Sequence, residues 1–146
     1  MKPLFLAFLL FLAAVVPAGV PAGAQASPKT TAPADVTGLW VADFFGNRVE
    51  CHLEQRGQFL YGVAYVLTRT GERNTYHIAG LVLDNTIRAM HGGGNTFVGA
   101  VQDENVVAGT FAFKDGPSFA MQAERTMRGK TAPGGLEWPA GYPPTP

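Results

Sequence analysis

The chain is poor in cysteine, in serine and in charge, and each shortage removes a class of function. Cys51 is the only cysteine, so an exported domain built from this chain has no internal disulfide and must be held by its core alone. Cys51 itself reads as a small buried hydrophobe, with an intermolecular disulfide as the sharper alternative. Charged residues make up 15% of the chain, and Lys plus Arg equal Asp plus Glu at 11 each. No basic stripe forms, which argues against nucleic acid as a partner. Beyond the first two dozen residues no apolar run is long enough to cross a membrane as a helix, and no segment carries a helical hydrophobic period.

What is present begins with a leader. Lys2 supplies a positive start, residues 4–16 are apolar, and Ala24-Gln25-Ala26 is the small-x-small pattern that a signal peptidase cleaves. Residues 1–26 are therefore expected to be a signal peptide, the mature chain starting at Ser27 in the periplasm or outside the cell. Pro17, Gly19 and Pro21 break the apolar run too early for it to span a bilayer. Residues 27–37 read as a polar spacer. Residues 128–146 carry five prolines and several glycines and are expected to be a disordered tail.

Between them, residues 38–127 divide into eight β-prone runs: 38–45, 49–55, 58–69, 74–83, 86–91, 95–102, 105–113 and 117–125. The breaks are short and rich in Gly, Asn and Asp. A parallel crossover needs about a dozen residues, so connections this short make sequential strands antiparallel neighbours. The expected fold is all-β: an eight-stranded antiparallel up-and-down barrel, which closes away its edges.

Alternation fixes several faces. Arg48, Glu50, His52, Glu54 and Arg56 alternate with Val49, Cys51 and Leu53, placing the charged set toward water. A two-residue hairpin at Arg56-Gly57 would pair Leu53 with Leu60 and turn Leu60, Gly62, Ala64 and Val66 inward. Phe59, Tyr61, Val63, Tyr65 and Leu67 then form an outward apolar stripe, the pattern of an interface with a protein partner or a second copy. A three-residue loop with a bulge would reverse these faces.

Gly38-Leu39-Trp40 opening the first run, Leu60-Tyr61-Gly62 within the third and Arg125 ending the last resemble the calycins, the lipocalin and avidin-like barrels. The resemblance implies that Trp40 and Arg125 form a structural plug, a basic side chain covering the ring at the barrel floor. It does not extend to a long first loop, a disulfide or the polar set that holds biotin, and Trp138 lies in the tail.

Other constellations carry little chemistry. His91-Gly92-Gly93-Gly94 looks like an esterase oxyanion loop, but Ser27 and Ser118 are the only serines of the mature chain and neither sits on a Gly-x-Ser-x-Gly elbow. His52, His77 and His91 lack metal-ligand spacing, so no metal and no cofactor is expected. Several runs are shorter than the nine to eleven residues that a membrane-spanning strand needs, and no membrane span is expected after leader removal. The lumen residues are expected to be Trp40, Leu53, Leu60, Ile78, Val98, Phe111, Phe119 and Met121, with Gly62, Gly80 and Gly109 leaving room. Of these, Trp40, Leu60, Ile78, Phe111, Phe119 and Met121 are the candidate ligand-binding set. Eight strands enclose a lumen that side chains fill or that holds one small ligand. With few inward polar groups, a filled core is the default. The functional expectation is an exported, non-enzymatic binding module taking a small apolar ligand inside or a protein partner outside. The alternatives are a periplasmic interaction protein, such as a peptidase inhibitor or assembly subunit, and an isomerase or cyclase on the same barrel.

Overall fold

Eight strands run in sequence: β1 (Gly38–Phe44), β2 (Asn47–Arg56), β3 (Phe59–Leu67), β4 (Arg73–Leu83), β5 (Thr86–His91), β6 (Thr96–Asp103), β7 (Val106–Ala112) and β8 (Ser118–Arg128). Each pairs antiparallel with the next, and β8 returns to β1 to close the barrel. The structure is a computed structural model and describes residues 32–144. The leader, its cleavage site and the start of the spacer lie outside the described residues. Full closure leaves no edge strand to pair with another chain.

Tight turns set the registers. Phe44 pairs with Asn47 around Phe45-Gly46, where both turn residues have positive φ (52° and 73°). That is the backbone of the hairpin turn whose twist matches the flanking strands. The β2–β3 turn is Gly57-Gln58, with Gly57 at φ 59°, and Leu53 pairs with Gly62 and Cys51 with Ala64. The register is thus two residues from that of an Arg56-Gly57 turn. A shift of two keeps every side chain on its face, because strand faces repeat every second residue. Leu60, Gly62, Ala64 and Val66 do point inward, and the stripe from Phe59 to Leu67 does point outward.

One end of the barrel is a floor, and the spacer builds it. Val36 is fully buried and packs with Trp40, Leu60, Val82, Ile87 and Val107. Its N–H donates to Gln55 Oε1 at 2.9 Å, and its carbonyl accepts from Trp40 Nε1 at 2.8 Å. A second cluster of Ala42, Val49 and Ala64 lies further along the lumen, with Phe44, Val66, Ile78 and Met121 around it. The spacer's last residues are therefore core, where a polar linker was expected.

In β6 the expected inward residue Val98 faces solvent, 41% exposed. Phe97 takes the inward place, paired with Phe111. Both faces of β6 are apolar, so alternation did not discriminate. Gly99 opposes Gly109, and the Phe97 ring lies so close across the pair that a Cβ at either glycine would stand under 3 Å from its Cζ. These glycines do not leave lumen space open; they let a neighbouring ring lie flat on the wall. Gly62 does the same for Leu53, whose Cδ2 occupies the place of the missing side chain.

Candidate functional site

Above the floor the lumen is open. A cavity of about 320 Å³ runs from Trp40 and Leu60 to the other end of the barrel. The six candidate ligand-binding residues divide around it. Trp40, Leu60, Ile78, Phe111 and Met121 line the cavity, whereas Phe119 does not. Phe119 points inward beside Phe111, but at the mouth, edge-on to Phe45 at 4.7 Å and to Phe113 at 6.0 Å between ring centroids. Cys51 and Ala64, expected to point inward, also line the wall, as do Ala89, Phe97 and Ala123, which the sequence does not single out. Small residues at Ala64, Ala89 and Ala123 hold the lumen open where larger ones would fill it.

The wall is almost wholly hydrocarbon. Its deep polar atom is the Cys51 thiol, which burial pushes up to about 12 from an ordinary 9.0, so it stays protonated. Other polar side chains stand near the mouth: Asn47, Tyr76, His91, Asn95 and Thr96. The His91 ring lies 4.9 Å from that of Tyr76, and its Nδ1 accepts from the Gly93 N–H at 2.9 Å. Burial lowers its pKa below the ordinary histidine value. Both facts favour a neutral ring with its proton on Nε2. The site therefore offers a dry apolar chamber and a few hydrogen-bonding groups at its entrance, with no nucleophile–base pair directed into it.

The floor is sealed by Arg125, whose Cζ lies 4.7 Å from the Trp40 ring centroid. Its Nε donates to the Glu104 carbonyl at 2.9 Å, Nη2 donates to the same carbonyl, and Nη1 donates to the Thr37 carbonyl at 3.2 Å. Burial lowers the guanidinium's pKa, assisted by Arg128 and opposed by Asp35 and Glu104. Gly38 explains the rest of the Gly-x-Trp motif. A Cβ there would collide with the Met127 carbonyl oxygen and stand 3.0 Å from Arg125 Cδ, so its absence lets β8 close on β1 and makes room for the arginine stem crossing to Trp40.

The outer stripe of β3 is not free. Tyr61 and Val63 are 7% and 5% exposed, because residues 129–144 fold back over them. Trp138 stacks on Tyr142 at 5.7 Å and meets Tyr61 at 5.5 Å, while Tyr142 packs edge-on to Phe59 at 5.8 Å. The Tyr142 hydroxyl donates to the Leu60 carbonyl at 2.9 Å and accepts from the Gly80 N–H at 3.1 Å. Tyr65 instead lies under the Arg73 guanidinium at 3.7 Å, and Leu67 is exposed. The expectation of an unstructured tail and an open docking stripe is corrected together. The tail's own aromatics supply the partner that the stripe requires.

That cover also corrects the charged face of β2. His52 and Glu54 point outward but are buried under the tail. His52 Nδ1 shares a hydrogen with Thr131 Oγ1 at 2.9 Å. Glu54 Oε2 lies 3.4 Å from both Lys130 Nζ and Trp138 Nε1. Arg56 caps the Trp138 ring at 4.3 Å. His77 hydrogen-bonds the Tyr61 hydroxyl at 3.0 Å. The three histidines thus have three separate roles and do not converge.

In comparisons of the chain with protein-family models and with curated proteins, nothing matches.

Proposed function

We propose that this protein is an exported calycin-like barrel that binds one small apolar molecule in its lumen. The observation that carries the reading is the cavity of about 320 Å³, lined by hydrocarbon, sealed at the Trp40–Arg125 floor and open at the other end. Ligand pockets start at about 300 Å³, and an apolar cavity of about 150 Å³ holds one benzene. The cargo is then of two-ring or medium-chain size. Its apolar body sits against Trp40, Phe97, Phe111 and Met121, and a single weakly polar end reaches Tyr76 or His91 at the mouth. Calycin kinship is supported by the closed eight-stranded meander together with the Gly38, Trp40 and Arg125 arrangement. Export is supported by the leader pattern, and mass spectrometry of the protein from its natural compartment should find Ser27 as the first residue.

The binding test is a fluorescence titration of the mature chain with N-phenyl-1-naphthylamine, a two-ring apolar probe. Saturable enhancement is expected, and it should disappear in Ala89→Leu and Ala123→Leu, whose added methyl groups occupy the lumen. Because they fill existing space, both variants should melt close to the parent. No saturable signal, or a signal indifferent to both fillings, would show that the lumen binds nothing of this kind.

A further inference from the structure

We propose that the open end of the barrel is a docking surface for a lipid bilayer, through which apolar cargo enters or leaves. The proposal stands on the rim itself and not on what the lumen holds. Of the eight exposed large hydrophobic side chains among the described residues, five (Phe45, Leu67, Tyr76, Met90 and Phe113) stand at this end, with Phe45 60% and Met90 55% exposed, whereas Leu83 and Met127 stand apart at the floor end and Val98 on the wall. Phe45, Met90, Tyr76 and Phe113 also border the cavity, so the exposed apolar ring is continuous with the apolar lumen. A patch of this kind around an opening marks an interaction site.

The backbone gives a second, independent sign. Among the described residues, three that are not glycine have positive φ: Phe45, Asp84 and Asp115. Aspartate tolerates that conformation through its short polar side chain, whereas a phenylalanine there is an outlier. The Phe45-Gly46 turn is a position where Asn or Gly would serve folding better. The Phe45 ring meets Phe44 and Phe119 edge-on at 4.5 and 4.7 Å, yet most of it stays exposed, so the strained turn holds an aromatic ring out at the rim.

The flanking charges indicate which surface. Arg69 lies against Gly46 beside Phe45, and Lys114 lies against Gly94 beside the mouth. Among the described residues neither forms an ion pair. Aromatic side chains with basic neighbours are the composition of groups that settle at a bilayer interface, rings among the acyl ends and cations at the phosphates. Asp43, Glu50, Glu72 and Asp115 stand at the same end and balance Arg48, Arg69, Arg73 and Lys114, so apolar insertion drives docking and a zwitterionic surface suffices. Exposed Arg88, Gln122 and Glu124 on the outer wall stop insertion at the rim.

Flotation of the mature chain with phosphatidylcholine vesicles tests this. The parent should float with the vesicles. Phe45→Asn and Phe113→Ser should each reduce partitioning about tenfold, as expected for withdrawing one inserted phenylalanine. Phe45→Asn should melt close to the parent temperature, since its fit to the turn offsets the lost edge contacts with Phe44 and Phe119, which separates lost docking from lost folding. The lumen-filled Ala123→Leu should float like the parent, so docking and cargo binding can fail separately. A parent that does not float, or variants that float equally, would overturn the proposal. So would vesicle-independent dimerisation that Phe45→Asn abolishes, because the occupant would then be a second copy.

Discussion

The Arg125 guanidinium lies over the Trp40 ring with its Cζ 4.7 Å from the centroid, and the two residues are direct register partners between β8 and β1. The pair closes the barrel at the seam where its first and last strands meet. Trp40→Ala should destabilise by about 3–5 kcal/mol, the range for truncating a buried aromatic. Arg125→Ala should cost about 1–3 kcal/mol, because the Glu104 and Thr37 carbonyls lose their donor and the ring its cover. Denaturant midpoints check both. Midpoints equal to the parent's would mean that the floor holds by Val36 and the aliphatic cluster alone.

The tail is the second load on the fold. Ending the chain after Gly129 strips Tyr61 and Val63 of their cover and leaves Glu54 without Lys130 and Trp138. The truncated barrel should retain its far-ultraviolet spectrum yet self-associate through the uncovered stripe, read by sedimentation velocity against a monomeric full-length control. Trp138→Ala alone should lower stability by about 1–3 kcal/mol, through lost burial and the lost Arg56 contact. A truncated chain that sediments as the parent does would show that the stripe needs no cover.

Strand order, number and most faces were legible because each turn carries its own chemistry and β2 alternates cleanly. The β2–β3 register was missed by two residues, since Arg56-Gly57 and Gly57-Gln58 are both plausible two-residue turns and the hydrophobic pattern is blind to an even shift. Val98 was misplaced because β6 is apolar on both faces. The tail was misread from proline and glycine content, although two features pointed to the answer: an aromatic stripe with no partner, and Trp138 and Tyr142 in a segment with no core. The openness of the cavity was not legible, although five of the six candidate residues line it. It depends on Ala64, Ala89 and Ala123 meeting across the lumen, and no local pattern announces a residue that is small for the sake of what faces it.

The state of that cavity can be read through Cys51. Burial raises its thiol from 9.0 to about 12, so between those values the unfolded chain has released a proton that the folded chain keeps. The unfolded state then binds fewer protons, and stability falls as pH rises from about 9 toward 12. Below about 9 both states are protonated and the thiol adds no pH dependence. The loss is at most about 1.4 kcal/mol per pH unit, and Cys51→Val, of similar size, removes it. Denaturant midpoints of parent and variant should therefore coincide in slope from pH 7 to 8.5 and diverge by pH 10, the parent falling faster. Every other ionisable group is common to both proteins and cancels in the difference. Parallel curves through pH 10 would mean that the thiol ionises inside the folded barrel. That requires water around Cys51, and a wet lumen would not discriminate in favour of apolar cargo.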